Sequence, residues 1–301
     1  MKKGEVYIPN PRKFTFTEKI NRKISLLGKK LGRPVFKYRV NRDSKEYSKE
    51  ISNILNYYKN NADNLEDEIK SGLDMGLLLE CIQNTEHLDG NIAELGTYRG
   101  GSTIMFDKFL QHIKSKKRIF ACDTFTGFPY EDDRITERIQ QNKVDNMRHT
   151  SFSYVSEKFK KFNVSDRITI TEGTFEDTLY QRLSDQKFSF VFNDSDLYKS
   201  TKFSLDFIYP RLVKGGIMIF HNYGEGDNPN RIGERDGKKI EFGERRAVDE
   251  FCDLHGIKLN TKKSLAYIQK PEKVKQKQSI SWKTIIKKAS LIDKLKIYGY
   301  V

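Results

Sequence analysis

Five short apolar runs in this chain each end in residues that could hold a ligand or move a proton. Asn91–Leu95 carries Glu94 inside the run and is followed at once by Gly96, Gly100 and Gly101. Arg118–Cys122 leads into Asp123-Thr124-Phe125, and Arg167–Glu172 leads into Gly173-Thr174-Phe175. Phe188–Phe192 ends at Asn193-Asp194-Ser195-Asp196, and Ile217–Phe220 ends at His221-Asn222. Carboxylates at the ends of strands are acceptors for hydroxyl and amino groups. Glycines just after a strand let the backbone approach a ligand and take φ values that a side chain forbids.

The glycine spacing separates ligand classes. A phosphate-cradling loop closes on Gly-Lys followed by Ser or Thr, and Gly100-Gly101-Ser102 has no lysine. A dinucleotide fingerprint needs three glycines at offsets that Gly96, Gly100 and Gly101 do not satisfy. An acid in the first strand, glycines after it and a second acid at the next strand's end suit a ligand rich in hydroxyl and amino groups. S-adenosylmethionine (SAM) is such a ligand. Asp123 is placed to accept hydrogen bonds from both hydroxyls of a ribose. Pro129 argues against its capping a following helix. Phe175 suits either stacking on an adenine or core packing. Asp194 and Asp196 divide two tasks: one caps the next helix and the other faces the crevice.

Such residues act together only if strands bring their ends to one place. Ser102–Phe106 begins an apolar pattern of helical spacing, so residues 91–106 read as strand, turn and helix. Residues 44–85 read as two helices with Ser44 and Asp63 as N-caps. Ser153–Phe162 and Glu244–His255 are further helices, and a helix holding Ser200, Phe203, Leu205 and Phe207 stops at Pro210. Gly215-Gly216 makes a tight turn before the fifth strand, and Ile257–Leu259 with Ser264–Gln269 closes the sheet. The predicted fold is α/β: a doubly wound, mostly parallel seven-stranded sheet whose last strand runs antiparallel. Residues 130–150 and 225–243 are polar excursions that read as loops over the crevice. In the second, Arg231, Arg235, Lys238 and Lys239 read as a solvated face, with phosphate contact as the sharper alternative.

Composition narrows the classes. The 301 residues carry a net charge of +14, with 37% apolar and 32% charged residues, enough core for one α/β domain with polar extensions. Residues 1–45 form a basic N-terminal extension with a short amphipathic helix around 16–30. Residues 46–270 form the ligand-binding domain, of which 46–85 is a helical lead-in. Residues 271–301 form a basic amphipathic helix carrying Trp282, Ile285, Ile286, Ala289, Ile292 and Leu295 at helical spacing. That helix docks on the domain, joins two subunits or lies on an anionic membrane; no nucleic-acid reader motif accompanies the charge. Cys81, Cys122 and Cys252 are isolated, which excludes a disulfide framework or zinc motif and suits a reducing cytoplasm. No apolar run approaches the roughly 20 residues of a spanning helix. The expected location is the cytoplasm, with peripheral contact at the membrane's inner face left open.

Several blocks stand in a telling order. They are Ile92–Ser102, Asp123–Pro129, Gly173–Leu179, Asp194–Thr201, Tyr209-Pro210 through Gly215-Gly216, and Ala247–Phe251. Over roughly residues 75–270 they resemble the macrocin O-methyltransferase (TylF/MycF/NovP) family of SAM-dependent sugar methyltransferases. The resemblance implies a class I, Rossmann-like methyltransferase fold with helical extensions at both ends. It implies O-methyl transfer to a sugar, nucleotide-sugar or glycan acceptor, and makes a homo-oligomer plausible. Carried over, Glu94 and the turn of Gly96, Thr97, Tyr98, Gly100 and Ser102 hold the methionine part. Asp123, with Thr124 and Phe125 beside it, takes the ribose, and Gly173, Thr174 and Phe175 lie near the adenine. Asp194 lies by the methyl group and the acceptor. The family's two adjacent aspartates after the fifth strand, which with the first aspartate of Asp-x-Asp bind magnesium, are here His221 and Asn222. Magnesium favours carboxylate oxygens, so this departure weakens it. Three readings stay open for Asp194, His221 and Asn222: a softer metal on Asp194 and His221, His221 or Asp194 as direct base with Asn222 orienting the sugar, or loss of metal and activity together. The last would leave a non-catalytic SAM-fold binding or scaffold protein in glycan assembly.

Overall fold

The computed structural model describes residues 47–65, 75–130, 147–164, 166–224, 233–235, 238–240, 243–262 and 265–271. The helices expected around 16–30 and over 271–301, Ser44, Arg231 and most of the 130–150 excursion lie outside them. Two helices lead in, α1 (Lys49–Leu65) and α2 (Met75–Asn84). Ser48 Oγ accepts the Ile51 N–H in the first turn of α1, and Asp63 lies inside α1 rather than at the start of a second helix. Then β1 (Asn91–Leu95), α3 (Gly101–His112), β2 (Ile119–Asp123), α4 (Phe152–Lys161), β3 (Ile168–Glu172) and α5 (Phe175–Leu183) alternate. β4 (Phe188–Asn193), α6 (Tyr198–Arg211), β5 (Leu212–Phe220), a hairpin β6 (Gly233–Arg235) and β7 (Lys238–Ile240), α7 (Gly243–His255), β8 (Asn260–Lys262) and β9 (Leu265–Gln269) complete the order.

The main sheet has seven strands in the order β3-β2-β1-β4-β5-β9-β8. Pairs from β3 through β5 are parallel, while β9 runs antiparallel to both β5 and β8. The closing strand predicted at Ile257–Leu259 lies instead at β8, just beyond it. Helices cover both faces, so the strands are near-continuous apolar runs; every residue of β4 is buried. One core cluster joins α1 to α4 with Ile92, Ile119, Phe190, Phe192, Ile217 and Ile219. The other joins α5, α6 and α7 with Ala93, Leu95, Phe120, Val191, Met218 and Phe220. This is the alternation expected of strands buried on both sides.

Alternation breaks at one place. Phe188, Phe190 and Phe192 would share a face in a regular strand. Asn91 pairs with Phe188 but Ile92 pairs with Phe190, so β4 bulges at Ser189. Phe188 therefore packs edge-on to Phe120, with centroids 6.1 Å apart, while Phe190 and Phe192 meet Phe106 edge-on at 5.9 and 6.1 Å on the other face. The tight turn predicted at Gly215-Gly216 is likewise an irregularity within one continuous β5: partners step from Leu212 to Ile217 against Phe188 and Phe190. Gly215 N–H and Gly216 C=O bond to Lys270 across that bend. Pro210 does not end α6, which runs one residue further, to Arg211.

The chain leaves β1 toward β2 and returns on the far side as β4. Their carboxyl ends therefore form the switch point, where open α/β sheets bind ligands. There the Asp194 N–H bonds Leu95 C=O at 2.7 Å, and a Cβ added to Gly96 would lie 2.0 Å from Asp194 C=O. Gly96 also has φ of 96°. Gly96→Ala is expected to cost roughly 3 kcal/mol of unfolding free energy, from strain plus a backbone clash. Urea unfolding monitored by circular dichroism checks it.

Candidate active site

A cavity of about 270 Å³ opens at this switch point. Its floor is the turn after β1. Glu94, inside β1, is fully buried beneath that turn and accepts hydrogen bonds from Ser102 and Thr103 at the start of α3. Glu94 does not line the cavity. Both its oxygens serve to pin α3 to the sheet, which aims the helix N-terminus into the opening, a place favourable to negative groups. This differs from the direct contact with the methionine part implied by the resemblance. Gly96, Thr97, Tyr98 and Ser102 do line the cavity, whereas Gly100 lies behind it, tight against Phe159.

Asp123, at the end of β2, forms the next wall. Oδ2 accepts the Tyr98 N–H at 2.8 Å and Oδ1 accepts the Phe125 N–H at 2.7 Å. Tyr98 and Phe125 have φ of 49° and 54°, the left-handed region that costs a side-chain-bearing residue energy. One carboxylate thus holds both strained residues, with the Thr124 hydroxyl also at Oδ1, and Oδ2 keeps a lone pair for a ligand. Burial raises its pKa, against the two N–H bonds. Thr124 lines the cavity, but Phe125 is buried and packs edge-on to Phe152. Of the third-strand group, Thr174 and Phe175 line the cavity and Gly173 does not. Thr174 also caps α5 through its hydroxyl, and Phe175 belongs to the second core cluster, so each has a structural role besides.

The fourth wall joins the ends of β4 and β5. His221 Nδ1 lies 2.7 Å from Asp194 Oδ1, and Asn222 Nδ2 donates to the same oxygen at 3.1 Å and also to Asp196 Oδ1. Neither aspartate caps α6, whose N-cap is Leu197 without a side-chain bond; both line the cavity. The predicted division of tasks is thereby replaced by a shared one. Asp196, with φ of 59°, and Met147, with φ of 58°, are further left-handed residues that line the cavity.

Behind this wall lies Glu244, in the first turn of α7 and fully buried. It accepts the Asn222 N–H and the Asn193 Nδ2–H, each at 2.7 Å. Burial, with Asp194 and Asp196 close by, raises its pKa to about 8, against those two bonds. Burial alone would push the His221 pKa down. The Asp194 carboxylate, with Glu244 and Asp196 further off, more than offsets that and holds the imidazole up at about 9.

Sequence reasoning missed Glu244, since an acid in a first helical turn reads as a partner for the helix dipole. It also assigned no role to Met147 or Ser200, which line the cavity, and gave Arg99 one only as part of the Gly96–Ser102 turn. Arg99 Nε donates to His149 C=O at 2.9 Å and ties the first turn to the last residues of the 130–150 excursion. Its sequence signal was its place within the glycine turn. Arg235, Lys238 and Lys239 fall in the β6–β7 hairpin, a regular element inside the expected loop. Among the described residues no group of three His, Cys, Asp or Glu side chains is arranged for a metal, and no helix is long and apolar enough to cross a membrane.

The family described as Macrocin-O-methyltransferase (TylF) matches residues 74–241, more than half of the sequence. The chain belongs to that family. It is 25% identical over 150 residues to the 8-demethyl-8-(2,3-dimethoxy-alpha-L-rhamnosyl)-tetracenomycin-C 4'-O-methyltransferase of Streptomyces olivaceus. It is 27% identical over 154 residues to the demethyldecarbamoylnovobiocin O-methyltransferase of Streptomyces niveus. Each match takes in 48% of this chain and 57% of the relative. In fold it is similar to the O-methyltransferase NovP (23% identity, TM-score 0.54, 65% of this chain and 79% of that one). It is also similar to the calicheamicin methyltransferase CalS11 (20% identity, TM-score 0.54, 89% and 99%). The matched residues of the family span β1 through the β6–β7 hairpin, so they include three walls of the cavity and the fourth as far as Asn222.

The raised His221 pKa has a sign that can be checked. A ring whose folded pKa exceeds its unfolded value of about 6.5 stabilises the fold fully below that value. The contribution is lost as pH rises through about 9. Unfolding free energy is therefore expected to fall across that window, and less so in Asp194→Asn. An NMR titration of the imidazole is expected to give a value well above the ordinary one in the wild type and a lower one in Asp194→Asn.

Proposed function

We propose that this protein is a SAM-dependent O-methyltransferase acting on a hydroxyl of a sugar or glycan acceptor. The observation that carries this reading is the cavity at the β1/β4 switch point, with Asp123 on one side and the Asp194–His221–Asn222 group on the other, in a chain of this family. Both relatives named above are O-methyltransferases, and the name of the first includes its compound's rhamnosyl group, which supports the acceptor class. The donor set fits SAM. Asp123 lines the cavity with a lone pair of Oδ2 left for a ribose hydroxyl, Thr174 and Phe175 flank the neighbouring space, and the glycine turn with the start of α3 offers backbone N–H groups. When bound, SAM supplies an electrophilic methyl group on a sulfonium.

The chain's own residues then have three tasks. Asp123 and the turn fix the donor. Asp194, Asp196 and Asn222 orient the acceptor, so that its oxygen is in line with the methyl, a gain of positioning rather than chemistry. His221 takes the hydroxyl proton. Its Nδ1 is committed to Asp194, so Nε2 is the nitrogen that meets the acceptor, in a base–carboxylate pairing that keeps the ring oriented. The neutral ring is the active form, so turnover is expected to rise with pH toward the value of about 9.

The test separates donor from proton transfer. Calorimetry with SAM on the wild type and Asp123→Asn is expected to show at least about a tenfold loss of affinity in the variant, since a charged acceptor is removed. His221→Gln is expected to keep SAM affinity, to lower turnover of a sugar acceptor by about 10²–10⁴ and to abolish the alkaline rise. No SAM binding by the wild type would sink the reading and leave a binding or scaffold protein. Normal turnover by His221→Gln would transfer the base role to Asp194.

A further inference from the structure

Asp194 and Asp196 stand at one corner of the cavity with Glu244 buried behind them, and Asn222 gives hydrogen-bond donors to all three. Asn222 gives its amide Nδ2 to Asp194 and Asp196 and its backbone N–H to Glu244. His221 gives Nδ1 to the Asp194 oxygen that Asn222 also reaches. That oxygen accepts two donors.

The orientation of the Asn222 amide follows from its neighbours. Turned over, it would set a carbonyl oxygen against two carboxylate oxygens and forfeit both bonds. The residue is fixed from behind as well. Glu244 takes its backbone N–H and also the Asn193 Nδ2–H, while Asn193 Oδ1 accepts the Ser204 hydroxyl at 2.9 Å. Glu244, Asn193 and Ser204 are all fully buried. Asn222 is thus held by a polar network that reaches into the core and joins β4, β5, α6 and α7.

A hard divalent ion needs several oxygen ligands in a close shell. Here the inner positions facing Asp194 and Asp196 are N–H groups, the positive ends of dipoles. A histidine nitrogen ligates a metal only through a lone pair, and Nδ1 spends its contact on a carboxylate. The residues do not fit magnesium.

We infer that this site works without a divalent ion, because the Asn222 amide and the His221 Nδ1–H occupy with hydrogen-bond donors the positions an ion would take beside Asp194 and Asp196. These donors hold both carboxylates in register and keep them facing the acceptor. The inference rests on the methyltransferase reading for what the site does, but not for what it binds. Two neighbouring side chains after β5 therefore decide between an ion-dependent and an ion-independent centre on one scaffold.

The experiment uses Mn²⁺ as the probe ion, followed by electron paramagnetic resonance and calorimetry on the full chain, with SAM calorimetry in parallel. The wild type is expected to show no saturable Mn²⁺ binding up to about 1 mM, and EDTA is expected to leave its methyl transfer unchanged. The double variant H221D/N222D is expected to gain a saturable Mn²⁺ site and an Mn²⁺-dependent rise in Tm, with SAM affinity unchanged. The single variant N222D gains a weaker site and serves where the double variant does not fold. Saturable Mn²⁺ binding by the wild type that Asp194→Asn removes would overturn the inference. So would failure of the folded variants to bind the ion, because His221 and Asn222 would then not be what excludes it. Absence of SAM binding in the wild type sinks the methyltransferase reading alone, since the Mn²⁺ readings stand without it.

Discussion

The site depends on how closely β1 and β4 approach where their chains part. Asp194 donates its N–H to Leu95, and Gly96 passes so near the Asp194 carbonyl that no side chain fits between. This seam sets the glycine turn beside the acidic loop. Without it Asp123 and the Asp194–His221–Asn222 group would belong to separate clefts. The constraint is a backbone one, a parallel pair carried one residue past its strands, and it is satisfied only by glycine at position 96.

From the seam outward, carboxylates hold the walls in shape. Glu94 ties α3 down through two hydroxyls, Asp123 holds two left-handed residues by their amides, and Glu244 fixes Asn222 and Asn193. Each is wholly or partly removed from water and each has N–H or O–H partners, which is what makes burial of a charged group tolerable. Of the side-chain-bearing residues in the left-handed region, Tyr98, Phe125 and Asp196 lie at the walls made by the strand ends. Strain of that kind persists only where the surroundings over-determine it, and here hydrogen bonds to Asp123 and from Asn222 do so.

Charge balance separates the two halves of the cavity. Beside the glycine turn stand Arg99 and the positive end of α3. Across the cavity stand Asp194 and Asp196, to which His221 and Asn222 bring hydrogen-bond donors. A buried polar network is costly when one member is missing, so substitutions here are expected to be coupled rather than additive.

The glycine turn, the strand ends and their order along the chain were legible in the sequence, because apolar period and turn chemistry are local properties. So were the seven strands, the antiparallel last one and most of the lining residues, from Gly96 and Asp123 to Asp194 and His221. What only the tertiary structure decided was direction and partnership. Glu94 turned out to face α3 rather than the cavity, because residues of a strand alternate and its side belongs to the helix. Phe125 went to the core. The bulge at Ser189 reversed the face of Phe188, and Gly215-Gly216 bent a strand instead of ending one, since register is set by the neighbouring strand and not by the strand's own sequence. Asp194 and Asp196, each a plausible helix cap by position, were drawn to Asn222 from another strand, and Glu244 reached the site from a helix fifty residues away in sequence. Contacts between residues so far apart follow from sheet order and helix packing, which no local pattern encodes.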